Sequence, residues 1–525
     1  MMRNRTHAGT RTIRLFLVSF CYFLSLAGGA GGAGGASAQD TLVLTLDDSI
    51  DIALKKSYSI ERLHQEMRFA ERTLWAAKAG YRTNVQTSLY APVYDEGFTL
   101  VDVIGENPVA KQFGSLQMRA VLDVIQPMPW LPLGGGDLTL RTEAYQLNSW
   151  TPSPTDPDVD LKSNKFYTAL SAILTKPLFT INTLALNLKQ AELSYERQSR
   201  VYKRMELDLV YRVTSSFYEL YRISEHYEIN RESVSRQEDI HLTTKNKFDA
   251  GLIAEVDAMQ AEVDLIQFKN ELKASEGYLQ EQEAAFKQLI GLPMGIGVKV
   301  STEMELKPVH VDVERAIELA LANRSEIVEK QLDIENQQIS VKEIDERTSV
   351  KGNLRGYYEF AGFSDPDMAY GASTADLFRS SWDVLKQTPN RGVMFELEIP
   401  IWDWGKNRAE VEAAKANLKA DELDLEYLHT TIEREVRDVV RTVGQAWDRV
   451  QMLAKGRDVS QRSFDISIKR FANGDITSTD LARASDQLNT AKYSYLSAYI
   501  EYKKALADLK RKTLYDFEND RPLTE

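Results

Sequence analysis

The sequence predicts a mostly α-helical protein written twice, each copy joining amphipathic β-strands to a very long helix. Three observations carry this reading. Landmark motifs recur at fixed shifts, heptad patterns run without proline, and shorter segments alternate apolar and polar side chains.

The repeat is read from the landmarks. Ser49-Ile50-Asp51-Ile52-Ala53-Leu54 returns as Ala316-Ile317-Glu318-Leu319-Ala320-Leu321, a shift of 267 positions. Lys176-Pro177-Leu178-Phe179 returns as Ile399-Pro400-Ile401-Trp402, a shift of 223. Lys247-Phe248, Gly251 and Asp257 return as Arg470-Phe471, Gly474 and Asp480, again shifted by 223. This divides the chain into a first repeat over 39–310 and a second over 311–525. Both halves keep 74 residues between the proline and glycine landmarks, so that interval is expected to be rigid. The first half's extra 44 residues lie between its opening helix and Pro177, where loops or additional strands belong.

Inside the rigid interval both halves share a heptad register. Leu188, Ala191, Tyr195, Tyr202, Met205 and Leu209 match Val411, Ala414, Leu418, Leu425, Leu428 and Ile432, with polar breaks at Gln198 and Asp421. Apolar residues alternating three and four apart make a coiled-coil seam. Thr183 to Asn246 holds no proline over 64 residues, enough for a helix of roughly 95 Å at about 1.5 Å per residue. Shorter helices are expected to return from Ala254 to Ile290 and from Thr477 to Lys512, the first stopped by Gly291-Leu292-Pro293. Gly251 and Gly474 fit helix-ending residues with positive φ. Asp257 and Asp480 fit either first-turn acids or acids of a constriction.

Ahead of each proline the period changes to two. Val393, Phe395, Leu397 and Ile399 alternate with Met394, Glu396 and Glu398, and Leu354, Gly356, Tyr358 and Phe360 with Arg355, Tyr357 and Glu359. Such strands have one apolar and one polar face. The apolar face packs on a core in a soluble protein and meets lipid in a membrane barrel. Leu116 to Ile125 and Leu138 to Asn148 are also strand-like, separated by Pro127-Met128-Pro129-Trp130 and Gly134-Gly135-Gly136. They are expected either as a hairpin within the same barrel or, alternatively, in an extracellular cap or in the lumen. The connector from Phe363 to Tyr370 is rich in Pro, Gly and Asp.

The chain opens with the features of an export signal over 1–38. Arg3, Arg5, Arg11 and Arg14 precede an apolar stretch from Leu15 to Ala27, and Ala36-Ser37-Ala38 offers a cleavage pattern. The single cysteine, Cys21, follows Phe20, which does not suit lipid attachment, so disulfides and thiol chemistry are not expected in the mature chain. The glycine run from Gly28 to Gly32 follows no strand and lacks the Lys-Ser/Thr ending of a phosphate loop. Removing the signal's four arginines takes the net charge from −13 to −17, a poor basis for nucleic-acid binding. The six histidines are dispersed, no HExxH motif or nucleophile elbow occurs, and no cofactor or metal site is expected. An enzyme is therefore not expected.

The order of parts resembles the TolC-like outer-membrane efflux family over essentially the whole mature chain. Leu397 through Arg408, with Pro400 and Gly405, resembles that family's strand-to-helix junction, mirrored at Pro177. Phe471-Ala472-Asn473-Gly474-Asp475-Ile476-Thr477 with Asp480 resembles its turn at the periplasmic tip. The resemblance implies a homotrimeric α-barrel tunnel joined to an outer-membrane β-barrel. It also implies a periplasmic adaptor (membrane fusion protein) and an inner-membrane pump or ABC transporter as partners. The implied cargo is small molecules such as drugs or cations, or secreted protein. The default barrel has four strands per protomer and 12 in all; with the extra hairpin it has six and 18. Pore and gate candidates are Asp257, Asp480, Arg483 and Phe471. The family often carries a second acid where Arg483 stands, and some relatives latch the tip with a tyrosine hydroxyl and an arginine where Phe471 and Ile476 stand here. A tip held by apolar packing, with Asp480 setting a modest cation preference, is the expectation. The alternative is a soluble periplasmic coiled-coil structural or adaptor protein.

Overall fold

The computed structural model describes residues 42–523 apart from 102–108, 133, 154–155, 157–158, 303, 348, 366–370 and 386–388. The expected export signal, and the end of the Phe363–Tyr370 connector, lie outside the described residues.

Element lengths recur between the two halves. The first half begins with β1 (Leu42–Leu44), α1 (Leu46–Lys56) and α2 (Tyr58–Ala79). Four strands follow, β2 (Asn84–Val101), β3 (Val109–Pro127), β4 (Asp137–Pro152) and β5 (Asp160–Leu178), then α3 (Thr183–Asp249) and α4 (Glu255–Ile290). After β6 (Val298–Val300), the second half has α5 (Val313–Asn323), α6 (Ser325–Glu346), β7 (Lys351–Phe363), α7 (Thr374–Val384) and β8 (Pro389–Glu398). It ends with α8 (Lys406–Asn473), α9 (Ser478–Thr513), β9 (Tyr515–Asp516) and β10 (Arg521–Pro522). The helices match pairwise: α1 and α5 have 11 residues, α2 and α6 have 22, α3 and α8 have 67 and 68, and α4 and α9 have 36.

Where the sequence suggested one opening helix per half, the structure has two. Ser57 and Arg324 adopt extended backbone, with ψ of 137° and 123°, and break the helix at equivalent places. The Ser57 hydroxyl accepts from Ser59 N at 3.2 Å and starts α2 afresh.

The strands that the sequence suggested from Leu116 to Ile125 and Leu138 to Asn148 are β3 and β4, and they belong to the main sheet. That sheet is antiparallel, in the order β2-β3-β4-β5-β7-β8. Register places Leu89, Ala120, Ala144, Thr168 and Gly362 in one row, and Val124, Leu140, Ala172 and Tyr358 in another, all on one face. Away from Thr168 and Gly362, which α7 covers, that face is apolar and open, with Leu89 74% and Val393 78% exposed. The opposite face carries ion pairs, Arg141 Nε to Asp123 Oδ1 at 2.7 Å and Arg119 Nε to Glu143 Oε1 at 2.8 Å. Among the described residues the outer strands, β2 and β8, each have one unpaired edge.

The helices supply the core. Leu209, Phe217 and Leu220 of α3, Phe286 and Ile290 of α4 and Tyr499 of α9 are fully buried together with Ala53 and Ile60 from α1 and α2. A second cluster joins Val443 and Val450 of α8 to Tyr502 and Leu506 of α9, and a third joins Ile317 and Ala320 of α5 to Ile432 and Val436 of α8. Each such aliphatic or aromatic side chain stabilises by about 1.5–3 kcal/mol on burial. The polar break at Asp421 is met by Lys330 Nζ of α6 at 2.8 Å. Among the described residues no helix is long and apolar enough to cross a membrane.

Candidate functional site: the paired tip turns

Both long helices end in the same turn. Gly251 has φ +67° and Gly474 φ +82°, conformations that disfavour any residue with a Cβ. Leu252 N donates to Lys247 O and Asp475 N to Arg470 O, each at 2.9 Å, closing the last helical turn identically in the two halves.

The returning helices start differently. Thr477 caps α9: its hydroxyl accepts from Asp480 N at 3.1 Å, and Asp480 Oδ2 accepts from Thr477 N at 3.2 Å. This reciprocal pair satisfies two otherwise free donors. The equivalent residue before α4 is Ala254, which offers no side-chain cap. Asp257 accordingly lies in the first turn of α4 without the capping arrangement of Asp480. Hydrogen bonds from the Thr477 side chain and backbone hold the Asp480 carboxyl below its ordinary range. Arg483 Nη1 stands 3.7 Å from Asp480 Oδ1, and both side chains are solvated, so the pair is weak.

The fold brings the two turns together. Lys247 Nζ at the end of α3 donates to Phe471 O at 2.9 Å and lies 4.3 Å from the Phe471 ring centroid. Beneath it Phe471 packs with Ile240, Phe464, Leu481 and Leu488 in a buried cluster flanked by Ile476. Asp257 and Asp480 line one groove between the turns, along with Lys247 and Thr477. Nothing in the sequence marked Lys247 as a link between the halves, although it stands in the landmark beside Phe248.

Two apolar stripes stay uncovered near the tips. Leu252, Val256, Met259, Val263 and Ile266, spaced four and three apart, are exposed along the tip and the start of α4. Met452, Val459 and Ile466 are exposed at seven-residue intervals on α8.

At the opposite end of the long helices lie the two junctions. Pro177 is still inside β5, paired with Asn353, and the chain turns at Phe179 with φ +60°. Pro400 follows β8, and Gly405 caps α8 with φ +79°. Asp403 fixes this start, its carboxylate accepting from Gly405 N at 2.9 Å and Asn407 N at 3.0 Å. Trp402 and Trp404 stand exposed beside it, 5.5 Å apart edge to face. The glycine run of the β3–β4 turn packs on the first junction, because a Cβ on Gly136 would stand 2.7 Å from Thr175 O.

Midway along the helices an ion-pair network joins the halves. Arg511 of α9 reaches Asp208 of α3 at 2.9 Å and Asp508 at 2.7 Å. Arg204 of α3 takes Glu329 of α6 through two bonds, at 2.9 and 3.1 Å, while within the second half Arg324 takes Glu435 of α8 at 2.9 Å. No sequence pattern singles out these charges from the many solvated ones.

This architecture has close counterparts. The CmeC outer membrane channel of Campylobacter jejuni superposes with a TM-score of 0.67 at 14% identity, covering 91% of this chain and 87% of that one. The outer membrane protein VceC of Vibrio cholerae gives 0.62 at 13% identity, covering 89% and 95%. Among curated proteins, nodulation protein T of Rhizobium leguminosarum bv. trifolii is 21% identical over 408 residues, 74% of this chain and 81% of that protein. The sequence profile described as outer membrane efflux protein matches residues 155–292 and 372–513, more than half of the chain. Each matched stretch runs through one long helix and its returning partner. The chain belongs to the outer membrane efflux protein family, the TolC-like channels.

Proposed function

We propose that three copies of this chain form an outer-membrane duct whose helices continue through the periplasm, for efflux of small molecules or cations or for export of protein. The observation that carries the reading is the sheet. Its apolar face is exposed, its opposite face carries ion pairs, and both edges are open. In lipid an open edge costs several kcal/mol per unsatisfied backbone group, so the strands must close into a ring. Three six-stranded sheets give a barrel of 18 strands, with the polar face lining water. Along β4 the outward row runs from Leu138 to Trp150, about 40 Å at about 3.4 Å per residue and roughly 30 Å high at the usual tilt. That length suffices to cross the apolar band of such barrels, about 25 Å tall, with the polar Gln146 and Asn148 of the row toward the end remote from the long helices. A soluble coiled-coil protein has no use for this exposed face.

The uncovered heptad stripes on α4 and α8 are the complementary need at the other end, and threefold association covers them. The repeats then run over 39–310 and 311–525 behind a signal over 1–38. The tips, with Asp257, Phe471, Asp480 and Arg483, form the periplasmic mouth. A periplasmic adaptor and an inner-membrane pump or ABC transporter would complete the path. Mass measurement of detergent-extracted protein should give a trimer. A water-soluble monomer recovered from the periplasm without detergent would overturn the reading.

A further inference from the structure

Among the described residues, the helix α7 has no counterpart in the first half. It follows β7 and lies on the sheet's apolar face at the end remote from the long helices. Its hydrogen bonds give its direction: Thr374 Oγ1 donates to Gln146 Oε1 of β4 at 3.2 Å, and the Ser381 hydroxyl contacts Thr168 Oγ1 of β5 at 2.7 Å and donates to Gly362 O of β7 at 2.8 Å. The helix therefore crosses the strands from β4 over β5 to β7. Leu377, Ser381 and Leu385 are buried against the sheet. The fit is close enough that a Cβ on Gly362 would stand 2.0 Å from Ser381 O.

The remaining faces of α7 are sorted. Ser380 Oγ accepts from Asp365 N at 2.9 Å, just beyond the end of β7, so this side of the helix faces the sheet's rim. Phe378 and Trp382, two residues to either side, point about 160° away from Ser380. Their rings stack at 5.9 Å, and Phe378 meets Phe166 of β5 edge to face at 5.6 Å. Both stay partly open, 43% and 37% exposed, and continue the sheet's apolar surface. Asp376, Arg379 and Asp383 lie on the arc turned away from the sheet.

We propose that α7 is an interfacial membrane anchor, lying in the plane of the outer leaflet on the outside of the barrel wall. Phe378 and Trp382 sit at the boundary between headgroups and acyl chains, and the charged arc stays with headgroups and water. The inference rests on the barrel reading. Its physical basis is the preference of amphipathic aromatics and in-plane amphipathic helices for that boundary. Docked on rigid strands, such a helix sets the depth of the barrel's outer rim and resists sliding along the membrane normal.

The test uses the full chain with Cys21 replaced by alanine, reconstituted in phosphatidylcholine vesicles. Nitroxide labels are placed one at a time at Trp382→Cys, Asp383→Cys and, on the sheet's apolar face, Val393→Cys. Collision rates with oxygen and with a nickel chelate are compared. The label at 382 should show a several-fold higher oxygen-to-nickel ratio than the label at 383, and the label at 393 a high ratio too. A high ratio at 393 with equal, low ratios at 382 and 383 overturns the anchor and leaves the barrel intact. A low ratio at 393 overturns the barrel reading and the anchor with it. Quenching by brominated lipid, compared between the unlabelled chain and Trp382→Phe, provides the same answer without cysteine. Loss of a quenched component in Trp382→Phe supports the anchor, and unchanged quenching refutes it.

Discussion

Phe471→Ala probes whether the tips are closed by apolar packing. The side chain is 8% exposed and shares its cluster with Ile240, Phe464, Leu481 and Leu488. Truncating a buried phenylalanine costs about 3–5 kcal/mol, and a cluster this small should give the lower end, about 3 kcal/mol. The contact with Lys247 adds about 0.5–1 kcal/mol. The bond from Lys247 to the carbonyl survives, because it uses backbone. Since 1.4 kcal/mol is tenfold, local opening of the tip should become at least about a hundredfold more frequent. Hydrogen exchange read by mass spectrometry should show this acceleration in peptides covering residues 240–257 and 464–488, with sheet peptides unchanged. Single-channel recordings should show a leakier resting state. Tip exchange within about threefold of the parent chain would refute the claim that this cluster holds the tips.

Three further outcomes follow from the geometry. Asp480→Ala should reduce cation preference and weaken block by trivalent cations in single-channel recordings; if neither changes, Asp480 serves only to cap α9. Gly291→Ala should lower the thermal midpoint far more than Gly474→Ala: both positions have φ near +80°, costing about 1–2 kcal/mol with a Cβ, but only at Gly291 would that Cβ meet backbone, Lys56 O at 2.2 Å. Equal midpoints would show that α4 does not press on the α1–α2 break as described. Burial alone would raise the Glu518 carboxyl, but Lys503 and Lys510, each at 2.9 Å, outweigh it and depress it below its ordinary 4.5. A depressed carboxyl stabilises above its unfolded value and loses that contribution as pH falls through the folded one. Melting midpoints should therefore drop below pH 4.5, and Lys510→Met should flatten that drop; an unchanged pH profile in Lys510→Met would count against the ion pairs.

Much of this fold was legible because its strongest signals are local and periodic. The proline-free stretch marks α3 to within a few residues, the shared heptads mark α8 as its counterpart, and Gly251 and Gly474 mark their ends, since few other residues adopt positive φ. Strand alternation around Val393 and Leu354 gave both faces of the sheet. What stayed hidden depends on contacts distant in sequence. Arg511 meets Asp208 across 303 positions, and nothing local distinguishes either from a solvated charge. The helix α7 carried a faint signal, Ser373 and Asp376 three apart before Leu377, masked by the surrounding loop composition. The break at Ser57 stayed hidden because Lys55 and Lys56 before it and Glu61-Arg62-Leu63 soon after it favour one continuous helix. At the tips, residue types and spacing pointed to Asp480 and Phe471, but not to Lys247, whose role appears only when the halves fold together.

The missing cap at Ala254 makes the two hairpins of one protomer mechanically unequal. A threonine cap is worth about 1 kcal/mol, so the α3–α4 end should fray about fivefold more often than the α8–α9 end. In the trimer proposed above, three protomers would present six hairpins around the mouth, three capped by threonine and three not. The ends of those hairpins would then loosen unequally, the three without the threonine before the three with it. One small side chain in place of a hydroxyl thus leaves the two repeats unequal at their ends.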